Sequence, residues 1–279
     1  MASGMLNTTS GLAASLLLAC VVSTASAQDA SQWQNDAHSG VRLLAGSRSG
    51  PVILGGIAIQ LQPGWKTYWR NPGDSGVSPQ FDFTGSENVE SVTVMWPAPL
   101  SFDDGAGGTA LGYRKQVVLP LRIITKAADK PLLLRAHITY AVCDKICIPV
   151  EARAELPFTS VASTEDGALR AALDTVPKHA GIGDNGPFGV QSITREGKTV
   201  IVDVTAPDGG EVSLYVEGPN MEWALPVPKL RKHSAAGTKR FAFDLDGVPP
   251  GVVPAGQQLK LTLVGPERAF EINANVPPD

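Results

Sequence analysis

The chain has 279 residues, of which 43% are hydrophobic and 18% are charged, a composition typical of a globular protein. Its formal net charge is −4, so no broad basic surface indicates a nucleic-acid partner. The 29 Gly and 22 Pro residues predict many turns between short strands.

The N-terminal segment has the pattern of an export signal. An apolar run over residues 12–22 precedes the small-x-small sequence Ala25–Ala27, which predicts cleavage after Ala27, although no Lys or Arg precedes the run. The run is too short to span a bilayer. The alternative is a lipoprotein anchored through Cys20, because residues 17–20 resemble a lipobox. We predict that residues 1–27 are a signal peptide and that the mature protein is a soluble periplasmic protein.

The next 130 or so residues have the pattern of a β-sandwich. Apolar and polar residues alternate with a period of two, which is typical of half-buried strands, and clusters of Pro and Gly separate the runs. Many short strands joined by turns favour a sandwich. The main predicted strands lie at residues 57–61, 92–96, 117–124, 132–142 and 148–156.

The composition changes after residue 160. Ser163 or Thr164 can cap a helix whose apolar residues recur at helical spacing over 169–176, and Pro177 ends it. Five further alternating sets between residues 200 and 274 predict a second, smaller sandwich without cysteines. The predicted division is a redox domain at 28–160, a helix and linker at 161–187 and a second β-sandwich domain at 188–279.

Cys143 and Cys147 are the two cysteines that remain after signal cleavage. In an oxidising compartment such a pair is usually a disulfide. Strand parity places each cysteine on the more polar face of its strand, which predicts that both lie at or near solvent. A bridge across so short a loop stabilises the fold by only about 2 kcal/mol through chain entropy. The pair therefore suits thiol–disulfide exchange better than stabilisation.

Other chemistries are weighed against exchange. His137 shares a strand face with Cys143, and Cys147 would complete a three-ligand site for a soft ion such as Cu(I). The spacing matches no closed zinc pattern, and a histidine on a strand is more often a surface residue. The sequence has no nucleophile elbow, zincin or phosphate-loop motif, which argues against a hydrolase.

Four segments of the first predicted domain carry a more detailed pattern. They are 64–76 (GWKTYWRNPGDSG), 96–99 (WPAP), 112–113 with 118–121 (GY with VLPL) and 140–149 (YAVCDKICIP). Together they resemble the N-terminal periplasmic domain of the DsbD thiol:disulfide interchange proteins. The closest resemblance is to the branch that includes the suppressor-of-copper-sensitivity protein B (ScsB).

The resemblance implies an all-β fold of two immunoglobulin-like β-sandwich domains joined by a short helical linker. It implies that Cys143 and Cys147 are catalytic, with Cys147 forming the mixed disulfide and Cys143 resolving it. It also implies a cap loop at about residues 102–108, although DsbD itself has a longer cysteine spacing and a bulky aromatic residue where this cap has Gly-Ala-Gly-Gly. The implied shield of the active site is Phe102, Asp103, Asp104 and Tyr113.

The predicted function is a relay of reducing equivalents. A thioredoxin-like or membrane donor reduces the cysteine pair, which then reduces periplasmic oxidoreductases. The chain contains neither the membrane-embedded carrier nor the thioredoxin-like domain of DsbD, so we expect a separate membrane electron carrier. The prediction includes no cofactor, no nucleic acid and no stable membrane insertion. The alternative is a copper-binding, copper-tolerance or cytochrome c assembly module with a structural disulfide.

Overall fold

The computed structural model describes residues 1, 28–48, 50–105, 107–184, 186–207, 210–231 and 237–279. The predicted signal peptide, apart from Met1, and the lipobox residue Cys20 lie outside the described residues. In the part of the chain that is described, no helix is both long enough and apolar enough to cross a bilayer.

The first half of the described chain forms two antiparallel sheets. The strands are β1 (Gln34–Asn35), β2 (Ser39–Ala45), β3 (Val52–Leu61), β4 (Lys66–Gly73), β5 (Gln80–Asp82), β6 (Val89–Val94), β7 (Leu100–Asp103), β8 (Thr109–Arg114), β9 (Gln116–Thr125), β10 (Leu132–Cys143) and β11 (Cys147–Phe158). One sheet has the order β1-β2-β3-β9-β6. The other has the order β11-β10-β4-β8-β7, with β5 also paired to β10.

The core of this sandwich is formed by alternate residues of the strands. Along β10, buried and half-buried positions alternate from Leu132 to Tyr140, as the sequence pattern predicts. Trp69 and Phe158 are fully buried in the same cluster as the β10 residues. Each buried aliphatic or aromatic side chain of this kind stabilises the fold by about 1.5–3 kcal/mol.

The predicted helix is present as α1 (Asp166–Asp174) and packs on the first sandwich. Leu169 is fully buried in a small cluster with Leu44 and Ala58. The N-cap residue is Glu165, so the predicted cap at Ser163 or Thr164 lies one or two residues too early. Ser163 instead donates its hydroxyl to the Ala45 carbonyl at 2.6 Å. The linker is therefore attached to the first sandwich by both packing and hydrogen bonds.

The second half forms two four-stranded sheets. Their strands are β12 (Lys178–His179), β13 (Gly189–Glu196), β14 (Thr199–Thr205), β15 (Ser213–Glu217), β16 (Lys229–Leu230), β17 (Thr238–Asp244), β18 (Gln258–Val264) and β19 (Ala269–Asn275). One sheet has the order β12-β19-β18-β15, and the other has the order β13-β14-β17-β16. The predicted all-β fold with two sandwiches and a helical connection is confirmed, while the boundaries of the two domains stay a prediction.

The two sandwiches meet where β4 approaches β15. The ring centroids of Trp69 and Tyr215 lie 6.0 Å apart, within the range of favourable aromatic contacts. Tyr215 is buried in the core cluster of the first sandwich, and Val227 and Val264 of the second sandwich pack against that cluster. This contact brings the second sandwich next to the strand that also borders the cysteine pair.

Candidate functional site

Cys143 and Cys147 form a disulfide across the end of the β10–β11 hairpin. They are directly opposite in the strand register, with a Cα–Cα distance of 4.2 Å and an Sγ–Sγ distance of 2.02 Å. The turn between them closes with a hydrogen bond from the Asp144 amide to the Ile146 carbonyl at 3.2 Å. The register of two long strands therefore places the sulfurs together.

The two cysteines differ sharply in exposure. Cys147 is exposed at the start of β11, whereas Cys143 is only 1% exposed at the end of β10. The prediction that both lie at or near solvent is thus wrong for Cys143. Both cysteines do lie on the more polar face of their strands. However, β4 pairs with the last residues of β10, with Cys143 opposite Lys66, and the adjacent Tyr68 side chain of β4 packs against Cys143 on that face.

The cover over Cys143 is a small apolar cluster on the outer face of the sheet. Its buried members are Tyr68, Ala110, Ala141 and Cys143. Tyr68 is in turn covered by Gly76, because a Cβ atom added at Gly76 would lie 2.3 Å from Tyr68 Cε1. Gly76 also has a φ of +124°, a region that favours glycine. Only glycine fits here without displacing the tyrosine ring.

The Tyr68 hydroxyl lies on the disulfide. Its oxygen is 2.9 Å from Cys143 Sγ, to which it donates, and 3.2 Å from Cys147 Sγ. Burial raises the pKa of Tyr68, and the nearby carboxylate of Asp104 raises it further. The phenol therefore stays protonated at neutral pH and remains available as a hydrogen-bond donor to sulfur.

The predicted cap loop lies next to this cluster, and Ala106 within it is outside the described residues. Phe102 is buried beneath two cations: its ring centroid is 4.4 Å from the Arg114 guanidinium and 5.6 Å from Lys66 Nζ. The carboxylates shape the turn, since Asp103 accepts from the Gly105 amide at 2.7 Å and Asp104 accepts from the Gly108 amide at 2.8 Å. Of these residues, Asp104 lies near enough for its charge to add to the rise in the pKa of Tyr68 that burial causes.

Tyr113 does not lie with the cap residues, and its prediction as part of the shield is corrected. It is buried in the main core of the first sandwich, and its hydroxyl donates to the Pro97 carbonyl at 2.8 Å. Burial raises the pKa of Tyr113 well above its usual value. Along β8 its neighbours alternate in direction, so Ala110 faces the Cys143 cluster while Leu111 and Tyr113 face the core.

The three residues of the metal alternative do not come together. His137 lies six residues before Cys143 on the same strand, about 20 Å away at the usual rise of a strand. Its Nε2 atom instead pairs with Glu151 Oε1 at 2.8 Å. Among the described residues, no group of three or more His, Cys, Asp or Glu side chains is placed to hold a metal ion. The metal alternative depends only on His137 and Cys143 sharing a strand face, and the distance between these two residues along the strand rules it out.

Sequence reasoning did not include Tyr68 or Gly76 among the site residues, although both lie in the 64–76 segment. A usable signal was present in the strand pattern. Trp69 belongs in the core, so the adjacent Tyr68 must leave β4 on the opposite face, which is the face of the cysteines. The contact of Gly76 with that ring is not encoded by any local period.

Comparison with known proteins finds a family to which the first sandwich is similar. Residues 50–159 match the family model described as thiol:disulfide interchange protein DsbD, N-terminal. Over these residues the chain is similar to the N-terminal domain of DsbD. The matched residues run from the start of β3 to the end of β11 and include Tyr68, both cysteines and the cap loop. The resemblance stated from the sequence motifs is confirmed.

This match lies within the first sandwich, and a solved structure extends the similarity of fold to the second. This is the N-terminal periplasmic domain of ScsB from Proteus mirabilis, with 22% identity, a TM-score of 0.72, and coverage of 90% of this chain and 99% of that chain. A marsupial T cell receptor also matches, at 10% identity over 91% of this chain and 100% of that chain, but its TM-score of 0.24 supports no inference. A comparison with curated proteins found no match.

Proposed function

We propose that this protein carries out thiol–disulfide exchange in the periplasm through Cys143 and Cys147. The observation that supports the proposal most is the asymmetry of the pair: an exposed cysteine is bonded to a buried one, and the Tyr68 hydroxyl is within hydrogen-bond distance of both sulfurs. Exchange requires one sulfur that an incoming thiolate can reach and a leaving sulfur that the protein stabilises. The family description, thiol:disulfide interchange, agrees with this chemistry.

The first step is attack on the exposed sulfur. A thiolate of a reduced, thioredoxin-like donor attacks Cys147 Sγ, and a new bond forms between the donor sulfur and Cys147. The Cys143–Cys147 bond breaks, and its electron pair leaves on Cys143 Sγ as a thiolate. The Tyr68 hydroxyl, 2.9 Å from that atom, donates a hydrogen bond to the developing charge.

The second step releases the reduced protein. The second thiolate of the donor attacks the donor sulfur of the mixed disulfide, so that the donor becomes oxidised and Cys147 leaves as a thiolate. Protons from solvent complete the two thiols, and the net transfer is two electrons and two protons. Steps of the same kind in the opposite direction then reduce a periplasmic oxidoreductase. Cys143 serves as the resolving cysteine when Cys147 is linked to a partner.

The residues of the turn between the two cysteines offer an exposed apolar side chain and no net charge. Asp144 and Lys145 carry opposite charges beside the pair. Lys145 would stabilise a thiolate and Asp144 would destabilise it, so their charges do not predict the reactivity of the cysteines. Ile146, between Lys145 and Cys147, is 68% exposed. We propose that this side chain contacts the partner during exchange. We propose thioredoxin-like proteins and a separate membrane electron carrier as partners.

Trapping of the mixed disulfide tests this function. In the mature chain, Cys143→Ala leaves the exposed Cys147 as a free thiol, which is first converted to a mixed disulfide with a small aromatic thiol. The thiolate of a thioredoxin-like protein that lacks its own resolving cysteine then displaces the aromatic thiol, and we expect the mixed disulfide of the two proteins to accumulate. The matched variant Cys147→Ala leaves only the buried Cys143 and should trap far less. Equal trapping by both variants, or no trapping by Cys143→Ala, would contradict the assignment. A reduction potential below about −300 mV, the range of structural disulfides, would also contradict it.

A further inference from the structure

The segment that follows Tyr68 in the chain returns to Tyr68. We call residues 69–78 the cover segment. At its far end Gly76 lies against the Tyr68 ring, as the position of an added Cβ atom shows. The segment is closed on itself by the Ser78 hydroxyl, which donates to the Arg70 carbonyl at 2.8 Å. A contact that fixes the middle of the cover segment therefore also fixes Gly76 against the Tyr68 ring.

The middle of the cover segment is held by the second sandwich. Arg70 donates through Nε and Nη2 to the Glu217 carboxylate, at 3.0 Å and 2.7 Å, and through Nη2 to Glu271 at 2.6 Å. The Asn71 amide donates to the Val216 carbonyl at 3.0 Å. These bonds join β4 to β15 and β19, so one arginine of the first sandwich is shared by two strands of the second.

The arginine cluster is partly shielded from water, which makes its hydrogen bonds stronger than those of a surface ion pair. Only 20% of the Arg70 side chain and 13% of the Glu271 side chain are exposed. Burial by itself would raise the pKa of Glu271, but the charge and hydrogen bond of Arg70, together with the charges of Lys260 and His179, outweigh burial and the pKa is lowered. Removing one member of such a cluster leaves partly buried charges unpaired, which costs more than loss of an exposed pair.

Asp74 connects the cover segment to the cap loop as well. Its amide donates to the Thr109 carbonyl at 2.8 Å, and its Oδ2 atom accepts from the Thr109 amide at 2.8 Å. Its Oδ1 atom accepts from the Val227 amide of the second sandwich at 3.4 Å. Asp74 of the cover segment thus binds both the start of β8, directly after the cap loop, and the second sandwich.

We propose that the second sandwich holds the cover segment in place over Tyr68 and thereby keeps Cys143 inaccessible. Arg70, which is bound by Glu217 and Glu271, is the positioning residue. This inference rests on the proposed function only in taking the cysteine pair as the redox centre. Cys147 is outside the cover and is exposed already. Loosening the arginine cluster therefore changes the accessibility of one cysteine and leaves the other unchanged.

Differential alkylation of the reduced full chain tests the proposal without any partner. Trypsin cleaves after Lys145, so Cys143 and Cys147 fall on separate peptides, and mass spectrometry of pulses with a small alkylating reagent gives each rate. Arg70→Ala removes the hydrogen bonds to both Glu217 and Glu271. Taking one charge-assisted hydrogen bond as the minimum loss, we predict a roughly tenfold to hundredfold faster alkylation of Cys143. The rate at Cys147 should change little.

The matched control is Arg135→Ala. Arg135 also binds two carboxylates, Glu87 at 2.9 Å and Glu155 at 3.2 Å, and it lies on β10 with Cys143, but it has no bond to the second sandwich in the described residues. Its loss should leave the Cys143 rate unchanged. Arg70→Lys, which keeps the charge but not the two-pronged guanidinium, should restore part of the protection.

Unchanged Cys143 alkylation in folded Arg70→Ala would overturn the proposal, and so would equal acceleration at both cysteines. If Arg70→Ala does not fold, Glu217→Gln decides, because Glu271 still binds Arg70 and a smaller selective increase at Cys143 is expected. No selective increase in Glu217→Gln would then overturn it. Mixed-disulfide trapping is a separate measurement: its failure, with Cys143 still responsive to Arg70, would refute the proposed function and leave this inference standing.

Discussion

Removal of the Tyr68 hydroxyl is the sharpest test of how the protein handles charge on sulfur. Tyr68→Phe keeps the ring that packs against Gly76 and deletes the one oxygen that lies 2.9 Å and 3.2 Å from the two sulfurs. In the oxidised protein the loss is small, because a neutral disulfide is a weak acceptor. In the reduced protein the same hydroxyl is a donor to a thiolate, and hydrogen bonds to charged groups contribute about 1.5–3 kcal/mol.

This difference sets the expected magnitude. At about 1.4 kcal/mol per pKa unit, we expect the lower thiol pKa of the reduced pair to rise by about 1–2 units in Tyr68→Phe. Exchange with a thiol-reactive probe at neutral pH should then slow by about tenfold or more. The assay is the pH dependence of alkylation at Cys143 and Cys147, read on their separate tryptic peptides.

Tyr140→Phe is the matched control for this prediction. Tyr140 is buried on the same strand as Cys143, but its hydroxyl bonds to Ser39 at 2.8 Å instead of to sulfur. It should change stability without changing either thiol pKa. If Tyr68→Phe leaves both thiol pKa values where they are in the unaltered protein, the phenol is packing material and the stabilisation of the leaving sulfur must come from elsewhere.

Two further predictions concern the cover and the arginine cluster. Gly76→Ala should destabilise the fold by about 1–3 kcal/mol in urea titrations, because the added Cβ atom clashes with the Tyr68 ring. The control is Gly64→Ala, which has a φ of +89° and no atom within 4 Å of the added Cβ, so it measures the cost of the backbone conformation alone. An equal loss of stability in both variants would disprove the clash. Because the folded pKa of Glu271 is lowered, its contribution to stability is present above about pH 4.5 and is lost as the pH falls through the folded pKa. Stability in Glu271→Gln should therefore fall less steeply with acid, and parallel acid limbs in the two proteins would refute this.

The strand pattern predicted most of the fold because period-two alternation reports which face of a strand is buried. The five alternating sets of the second half coincide with β14, β15, β17, β18 and β19, and the two cysteine-bearing strands coincide with β10 and β11. Alternation cannot report what lies across a face from a distant part of the chain. Cys143 was therefore assigned to the correct face but to the wrong environment, because the neighbour that buries it is Tyr68 on β4.

The other departures have related causes. A motif resemblance names residues without assigning their direction, so Tyr113 was grouped with Phe102 and Asp104 although it points into the core. Parity groups residues by face at any distance, so His137 was grouped with Cys143 although a long stretch of strand separates them. The contacts between the sandwiches, such as Arg70 with Glu217, join residues far apart in the sequence and have no periodic signal.

The uninterrupted register of the β10–β11 hairpin bears on how long an exchange intermediate can last. Pairing runs from Cys143 opposite Cys147 to Leu132 opposite Phe158, so reduction of the disulfide leaves two long, paired strands that still hold the sulfurs side by side. In the proposed exchange, Cys143 thus meets a partner-linked Cys147 at the high effective concentration of a fixed intramolecular neighbour. The hairpin makes each covalent complex self-limiting. Attack by Cys143 on Cys147 releases the partner as a thiol, which completes transfer to an oxidoreductase and reverses transfer from a donor unless the second thiolate of the donor attacks first.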